Sequence, residues 1–145
     1  LSRKEETLEA SHPDIATAMY SLASVRRHQG KYDEALDLLQ QSIERLRQNC
    51  NEDGQSHPAL ATAINNLGFF YKSTGQLDLA LEPYEEALEM RHETLGPSHP
   101  DTIASMNNLA ELHMASGNTD AAADIQNQII DLLSKSSSRG SNRNE

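Results

Sequence analysis

A period of slightly more than forty residues runs through this chain, so whatever it folds into must be assembled from similar units placed side by side. The clearest copy is His57 to Ser98, HPALATAINNLGFFYKSTGQLDLALEPYEEALEMRHETLGPS. His12, His57 and His99 open successive copies, and Gly30, Gly75 and Gly117 share one internal position. Ala35, Ala80 and Ala122 each follow their glycine by five residues. Both landmarks step by 45 and then by 42 residues. The three extra residues of the first copy fall in the polar stretch Asn51 to Gln55, where a loop absorbs added length at little entropic cost.

Each copy reads as helix, turn, helix. In the second, Ala61, Ile64, Leu67, Gly68 and Tyr71 fall at the spacing of one helical face, and Ser73-Thr74-Gly75-Gln76 breaks it. Leu77, Ala80, Leu81, Tyr84, Ala87 and Leu88 then form a second face, so two short helices pack antiparallel. Pro13, Pro58 and Pro100 stand just inside the helix starts, where a missing N–H costs nothing, and Asp14 and Asp101 suit the positive end of the helix dipole. Pro83 lies inside a second helix and predicts a lost backbone hydrogen bond or a slight kink.

The repeats are placed at about 12–56, 57–98 and 99–135, within a repeat region of 11–135. LSRKEETLEASHPD, residues 1–14, can be laid on residues 88–101, so 1–10 read as the C-terminal part of a preceding repeat helix. Residues 136–145, rich in Ser, Asn, Arg and Gly with almost nothing to bury, read as a disordered tail. A first residue other than Met suggests a piece of a longer protein or a processed product.

Charge and composition exclude several classes of function. With 12 Lys+Arg against 22 Asp+Glu, the formal charge of -10 repels a polyanion, so nucleic acid is not an expected partner. The single cysteine, Cys50, forms no intrachain disulfide, which favours a reducing, cytoplasmic setting, and it aligns with Leu8 and Leu95 as a small hydrophobe. No apolar run approaches the roughly 20 residues that span a bilayer, so no membrane association is expected. No Ser/His/Asp set, nucleotide-binding glycine pattern or metal-ligand cluster is present, and neither enzyme chemistry nor a cofactor is expected. His12, His57 and His99 recur one per repeat, about 8 to 10 Å or more apart. They cannot share one metal and are read as helix-start residues.

Leu67-Gly68-x-x-Tyr71, followed by Ala80-x-x-x-Tyr84 and Ala87, resembles the tetratricopeptide repeat pattern. Arg26 and His113 replace Tyr71 in the other copies, and Gln126 replaces Tyr84. The 42-residue period and the HPD…NNLA…G wording resemble the long repeats of kinesin light chains. Roughly eight residues beyond the usual ~34 add about 12 Å of helix. The resemblance implies an all-α fold: a right-handed α-solenoid of antiparallel helix pairs, about three repeats plus a partial N-terminal helix. First helices would line a concave groove and second helices would face outward.

Counting along the first helices, the positions opposite the packing face are Thr17, Tyr20, Ser21, Ser24, Arg27 and His28, then Thr62, Asn65, Asn66, Phe69, Lys72 and Ser73, then Asn107, Asn108 and Glu111. Similarity to peptide-binding repeats places Asn66 and Asn108, with Ser21 in the first copy, where an amide holds a ligand's backbone. The competing reading is that these asparagines hydrogen-bond the adjacent helix. Tyr20 and Phe69 are read either as pockets for an apolar anchor or as packing between helices, and Phe70 and Tyr71 as core. Arg27 and Lys72 inside, against Asp78, Glu82, Glu85, Glu86, Glu89 and Glu93 outside, favour an acidic peptide.

The expected function is a non-enzymatic scaffold or adaptor that binds an extended or short helical peptide segment in its groove. Two alternatives stay open. One is a self-assembling structural segment, since Ile129, Ile130, Leu132 and Leu133 stud the last helix although its polar residues suit a cap; weak self-association or a monomer fits either way. The other is the recruiting or sensor region of a larger signalling enzyme.

Overall fold

A computed structural model of the chain describes residues 13–53 and 58–143. Those residues form helices α1 (Pro13–His28), α2 (Tyr32–Asp53), α3 (Pro58–Ser73), α4 (Leu77–Leu95), α5 (Pro100–Ala115) and α6 (Thr119–Arg143), with no strand among them. The helices pair as α1 with α2, α3 with α4 and α5 with α6, and the pairs stack through α2 on α3 and α4 on α5. The architecture is the expected α-solenoid. Residues 1–10, the expected partial helix, lie outside the described residues.

The hairpin inside each repeat depends on its glycine. Gly30, Gly75 and Gly117 take φ of 80°, 82° and 84°, a left-handed conformation that other residues adopt only with strain. In the middle repeat the Gly75 N–H donates to the Lys72 carbonyl and the Gln76 N–H to the Tyr71 carbonyl, at 3.2 and 2.8 Å. This double closure satisfies helix-end carbonyls while it reverses the chain. The alanine five residues on then lands, fully or almost fully buried, where the second helix first meets its partner.

The helix starts are built as the Pro positions predict. At α5 the His99 Nδ1 accepts the Asp101 N–H at 3.0 Å, with Pro100 in the first turn, so this histidine is the N-cap itself. His12 and His57 lie outside the described residues. Pro83 sits within α4, which runs unbroken from Leu77 to Leu95.

Two boundaries differ from the sequence reading. The extra residues of the first repeat do not all go into a loop, because α2 continues through Asn51, Glu52 and Asp53, whereas α4 stops at the equivalent of Cys50. The reason is local: α4 meets Gly96, at φ 92°, and Pro97, whereas Asn51 to Asp53 contain no helix breaker. Helix α6 likewise runs on to Arg143, past the 135/136 boundary where composition alone gives a disordered tail. Residues 134–137 of that extension are exposed.

The core is a series of small clusters, each shared by neighbouring pairs. Ala16, Ile43, Leu46, Leu60, Ala63, Ile64 and Ala87 form one, with Cys50 packed half-buried against it. Ala23, Ala35, Leu39 and Phe70 form a second, and Ala80, Tyr84, Leu109 and Leu112 a third. Helix approach within a pair is set by complementary sizes. A Cβ added to Gly68 would stand 2.6 Å from Cδ1 of Tyr84, so the Tyr84 ring lies where any side chain at position 68 would be. At the equivalent place the first pair uses Ala23 with the smaller Leu39.

Gly68→Ala is therefore expected to destabilise the fold by about 1–3 kcal/mol, the usual range for overpacking, despite alanine's better helix propensity. Combining it with Tyr84→Leu, which copies the Ala23/Leu39 pairing, is expected to cost less than the two single changes together. Urea denaturation of the four proteins in a double-mutant cycle measures this.

Candidate functional site

Three lateral contacts join the first helices into one continuous face. Between α1 and α3, the Arg27 guanidinium lies over the Phe69 ring, 4.9 Å from its centre. Between α3 and α5, Lys72 Nζ pairs with Glu111 Oε2 at 3.2 Å, and Asn108 Nδ2 donates to Asn65 Oδ1 at 3.1 Å. This face carries the candidate groove residues, but it does not treat them alike.

At the α1/α3 end several candidate residues lie together. Ser24, Arg27, Asn66 and Phe69 surround a small depression of about 20 Å³, floored by Ala23, Leu39 and Phe70. Phe69 stays 44% exposed while Phe70 beside it is buried, stacked edge-on against Tyr32 and Tyr71. Phe70 thus anchors α3 in the core and leaves Phe69 facing out. Among the described residues Arg27 has no carboxylate partner, whereas Arg26 pairs with Glu34 at 3.5 Å and Arg47 with Glu86. The Asn66 side chain makes no hydrogen bond among the described residues.

Several of the other expected ligand contacts are occupied within the fold. Lys72 pairs with Glu111, so of these two cations only Arg27 is without a carboxylate partner among the described residues. Asn108 and Asn65 bond each other across adjacent helices, the alternative role read for the asparagine pair. Asn107 donates to Glu111 Oε1 at 3.3 Å and accepts from Gln126 of α6 at 2.9 Å. The Thr62 hydroxyl donates to the Pro58 carbonyl and accepts from Arg91 at 3.2 Å. Tyr20 is half-buried against two of the core clusters, as packing between helices requires, and Ser21 is exposed.

Arg91 is the residue whose role the repeat pattern did not signal. From α4 it reaches Thr62 of α3, the Ser105 hydroxyl of α5 at 2.8 Å and the Asp101 carbonyl at 3.3 Å, while buried Thr102 donates to the Arg91 carbonyl. One guanidinium thereby ties three helices, and the buried hydroxyls of Ser105 and Thr102 are satisfied. The available signal was Ser105 at a position held by Ala18 and Ala63 in the other copies.

Among the described residues no group of His, Cys, Asp or Glu stands together to hold a metal, and no helix is long and apolar enough to cross a membrane.

The tetratricopeptide repeat family model matches residues 1–48 and 59–135. The chain belongs to the tetratricopeptide repeat family. Arrays of this family are protein–protein interaction scaffolds, and the family is generally non-enzymatic. No match is found among curated proteins. Among solved structures, the chain is similar to the nearly identical TPR-like repeats of a candidate kinesin light chain from Podosopora anserina, at 26% identity and TM-score 0.70. That match covers 86% of this chain and 58% of the other. BtubC (BKLC) from P. vanneervenii, at 22% identity and TM-score 0.74, is matched over 86% of this chain and 48% of its own. MamA, at 23% identity and TM-score 0.62, is matched over 85% and 61%. The last two show the fold alone. The tetratricopeptide array thus spans about half of these chains, and it is kinesin light chain-like in architecture.

The inner face also reaches the core. Tyr84 is pushed up from 10.0 to about 12, first by burial and then by the Glu111 carboxylate. Because the folded value lies above the unfolded one, the neutral phenol's contribution is complete below pH 10 and is lost as pH rises towards 12, on the order of 2 kcal/mol. Denaturation midpoints at pH 9 and pH 11.5 are expected to differ more for the wild type than for Tyr84→Phe.

Proposed function

We propose that this chain is a non-enzymatic adaptor whose inner face holds an extended or short helical segment of a partner protein, with an acidic side chain of that segment engaged by Arg27. The observation that carries this reading is the Arg27 guanidinium, held over half-exposed Phe69 beside the unengaged Asn66 amide and without a carboxylate of its own. Stacking on Phe69 fixes the guanidinium plane, leaving its N–H donors for a carboxylate in fork geometry. Phe69 adds an apolar contact, and Asn66 offers both a donor and an acceptor to a peptide unit. A cytoplasmic setting accords with the single unpaired thiol.

Panning a peptide library against the domain, followed by calorimetry on the selected sequences, tests the reading. Acidic peptides are expected, with affinity falling about tenfold or more for Arg27→Glu and for Asn66→Leu, and little for Lys72→Glu. Selection of basic peptides that bind Arg27→Glu as well as wild type overturns it.

A second reading, head-to-tail self-association, is favoured by the exposed apolar residues of α6 and α1. Ile130 is 61% exposed and Leu133 also stands exposed, at the positions where Ile43 and Leu46 are buried in α2. Helix α1 exposes Leu22 and Val25, and their equivalents Leu67 and Phe70 pack against the preceding repeat. Sedimentation over a range of concentrations measures this. Ile130→Asp and Val25→Asp are each expected to give monomers that form a one-to-one dimer when mixed, whereas a wild-type mass that stays monomeric at every concentration removes the reading.

A further inference from the structure

The outer side of the molecule carries a cleft that the inner-face reading does not use. It runs between α2 and α4 and is floored by Ile43, Ile64, Leu67 and Tyr71, with Leu79 and Pro83 on the α4 wall. Arg47 of α2 crosses it to meet both carboxylate oxygens of Glu86, the second at 2.7 Å. The compartment between α2 and α4 holds about 290 Å³, and Arg47 also borders an open one of about 490 Å³ lined by α2 and Leu67. Leu79, 52% exposed, stands on the smaller compartment.

We propose that this cleft is a second docking surface, and that its occupant is a cationic amphipathic helix of a partner protein. The charge of the rim selects the sign. Glu44 on α2 and Glu82 on α4 flank the cleft, and Glu86 already consumes the charge of Arg47. Asp78, Glu85, Glu89 and Glu93 are exposed farther along α4, which has no lysine. Its one arginine, Arg91, is turned inward on Thr62 and Ser105. Any segment that lies there meets carboxylates on α4, so lysines and arginines on its flanks are favoured and acidic flanks repelled.

The walls select the secondary structure. Both are helices whose backbone groups are largely bonded internally, so the cleft offers an extended strand few main-chain partners. A helix brings its own backbone bonds and presents apolar side chains from one face. Two such side chains would occupy the two compartments that Arg47 borders and cover Leu79. Inner and outer faces would then prefer partners of opposite charge, and one chain would bring both together.

The test uses a fluorescent Leu/Lys peptide with the periodicity of an amphipathic helix, its scrambled isomer, and a Leu/Glu version, titrated against the full chain. The ordered Leu/Lys peptide is expected to bind, with affinity falling about fivefold or more for Leu79→Ser and for Glu82→Lys, and unchanged for Arg27→Glu. Both changes are at exposed positions, and matching thermal unfolding curves check that the fold survives. Equal binding of the scrambled isomer would reduce the effect to bulk charge attraction and overturn the proposal. So would indifference to Leu79→Ser, or competition by an acidic peptide bound at Arg27. If Leu79→Ser instead dissociates a wild-type dimer, the cleft's occupant is a second copy and the cationic helix is wrong.

Discussion

A helix hairpin has apolar residues on two sides and covers one of them by closing on itself. The other must be covered by the next hairpin, and everything else in this structure follows from that shortage. The clusters around Leu46, Phe70 and Tyr84 each draw on more than one repeat. Stability therefore accrues through stacking, and the quality of each joint depends on how closely helices approach. Small residues at Ala23, Gly68 and Ala110 are buried at these joints, and at Gly68 the Tyr84 ring leaves no room for a side chain.

Stacking also leaves two surfaces with separate electrostatics. Within the first helices, Lys72 and Glu111 are close enough to pair, whereas Arg27 meets an aromatic ring and no carboxylate among the described residues. On the second helices carboxylates dominate, with Arg47 committed to Glu86 and Arg91 drawn inside. The formal charge of -10 is thus a poor guide to either face. What a partner meets is the local remainder after internal pairs are made.

Period, turn glycines, first-turn alanines and helix starts were legible because they are local: a φ near 80° or a proline at the first helical position is recognisable from the residues beside it. The division of the candidate groove was not legible. Helical periodicity places Lys72, Asn65, Asn107 and Asn108 on the inner face, but whether those side chains stay available depends on residues about forty positions away or on the paired helix, namely Glu111 and Gln126. Phe69 and Phe70 are adjacent and chemically identical, and the turn of the helix sends one to the core and the other outward. The length of α2 is not legible for a different reason: polar composition suggests a loop, although polar residues without Gly or Pro can extend a helix that is already formed.

The Arg91 tie has a bearing on assembly itself. At the joint between α4 and α5 an arginine faces Ser105 and Thr102, whereas at the joint between α2 and α3 the corresponding places hold Leu46, Ala63 and Leu60. Exchange the two joints and a guanidinium would be buried against alanine and leucine, while two hydroxyls would face a leucine that can bond neither, a cost of several kcal/mol. Units that look interchangeable by period are thereby keyed. During folding, when like hairpins are within reach of one another, that mismatch discriminates against a stack assembled in the wrong order.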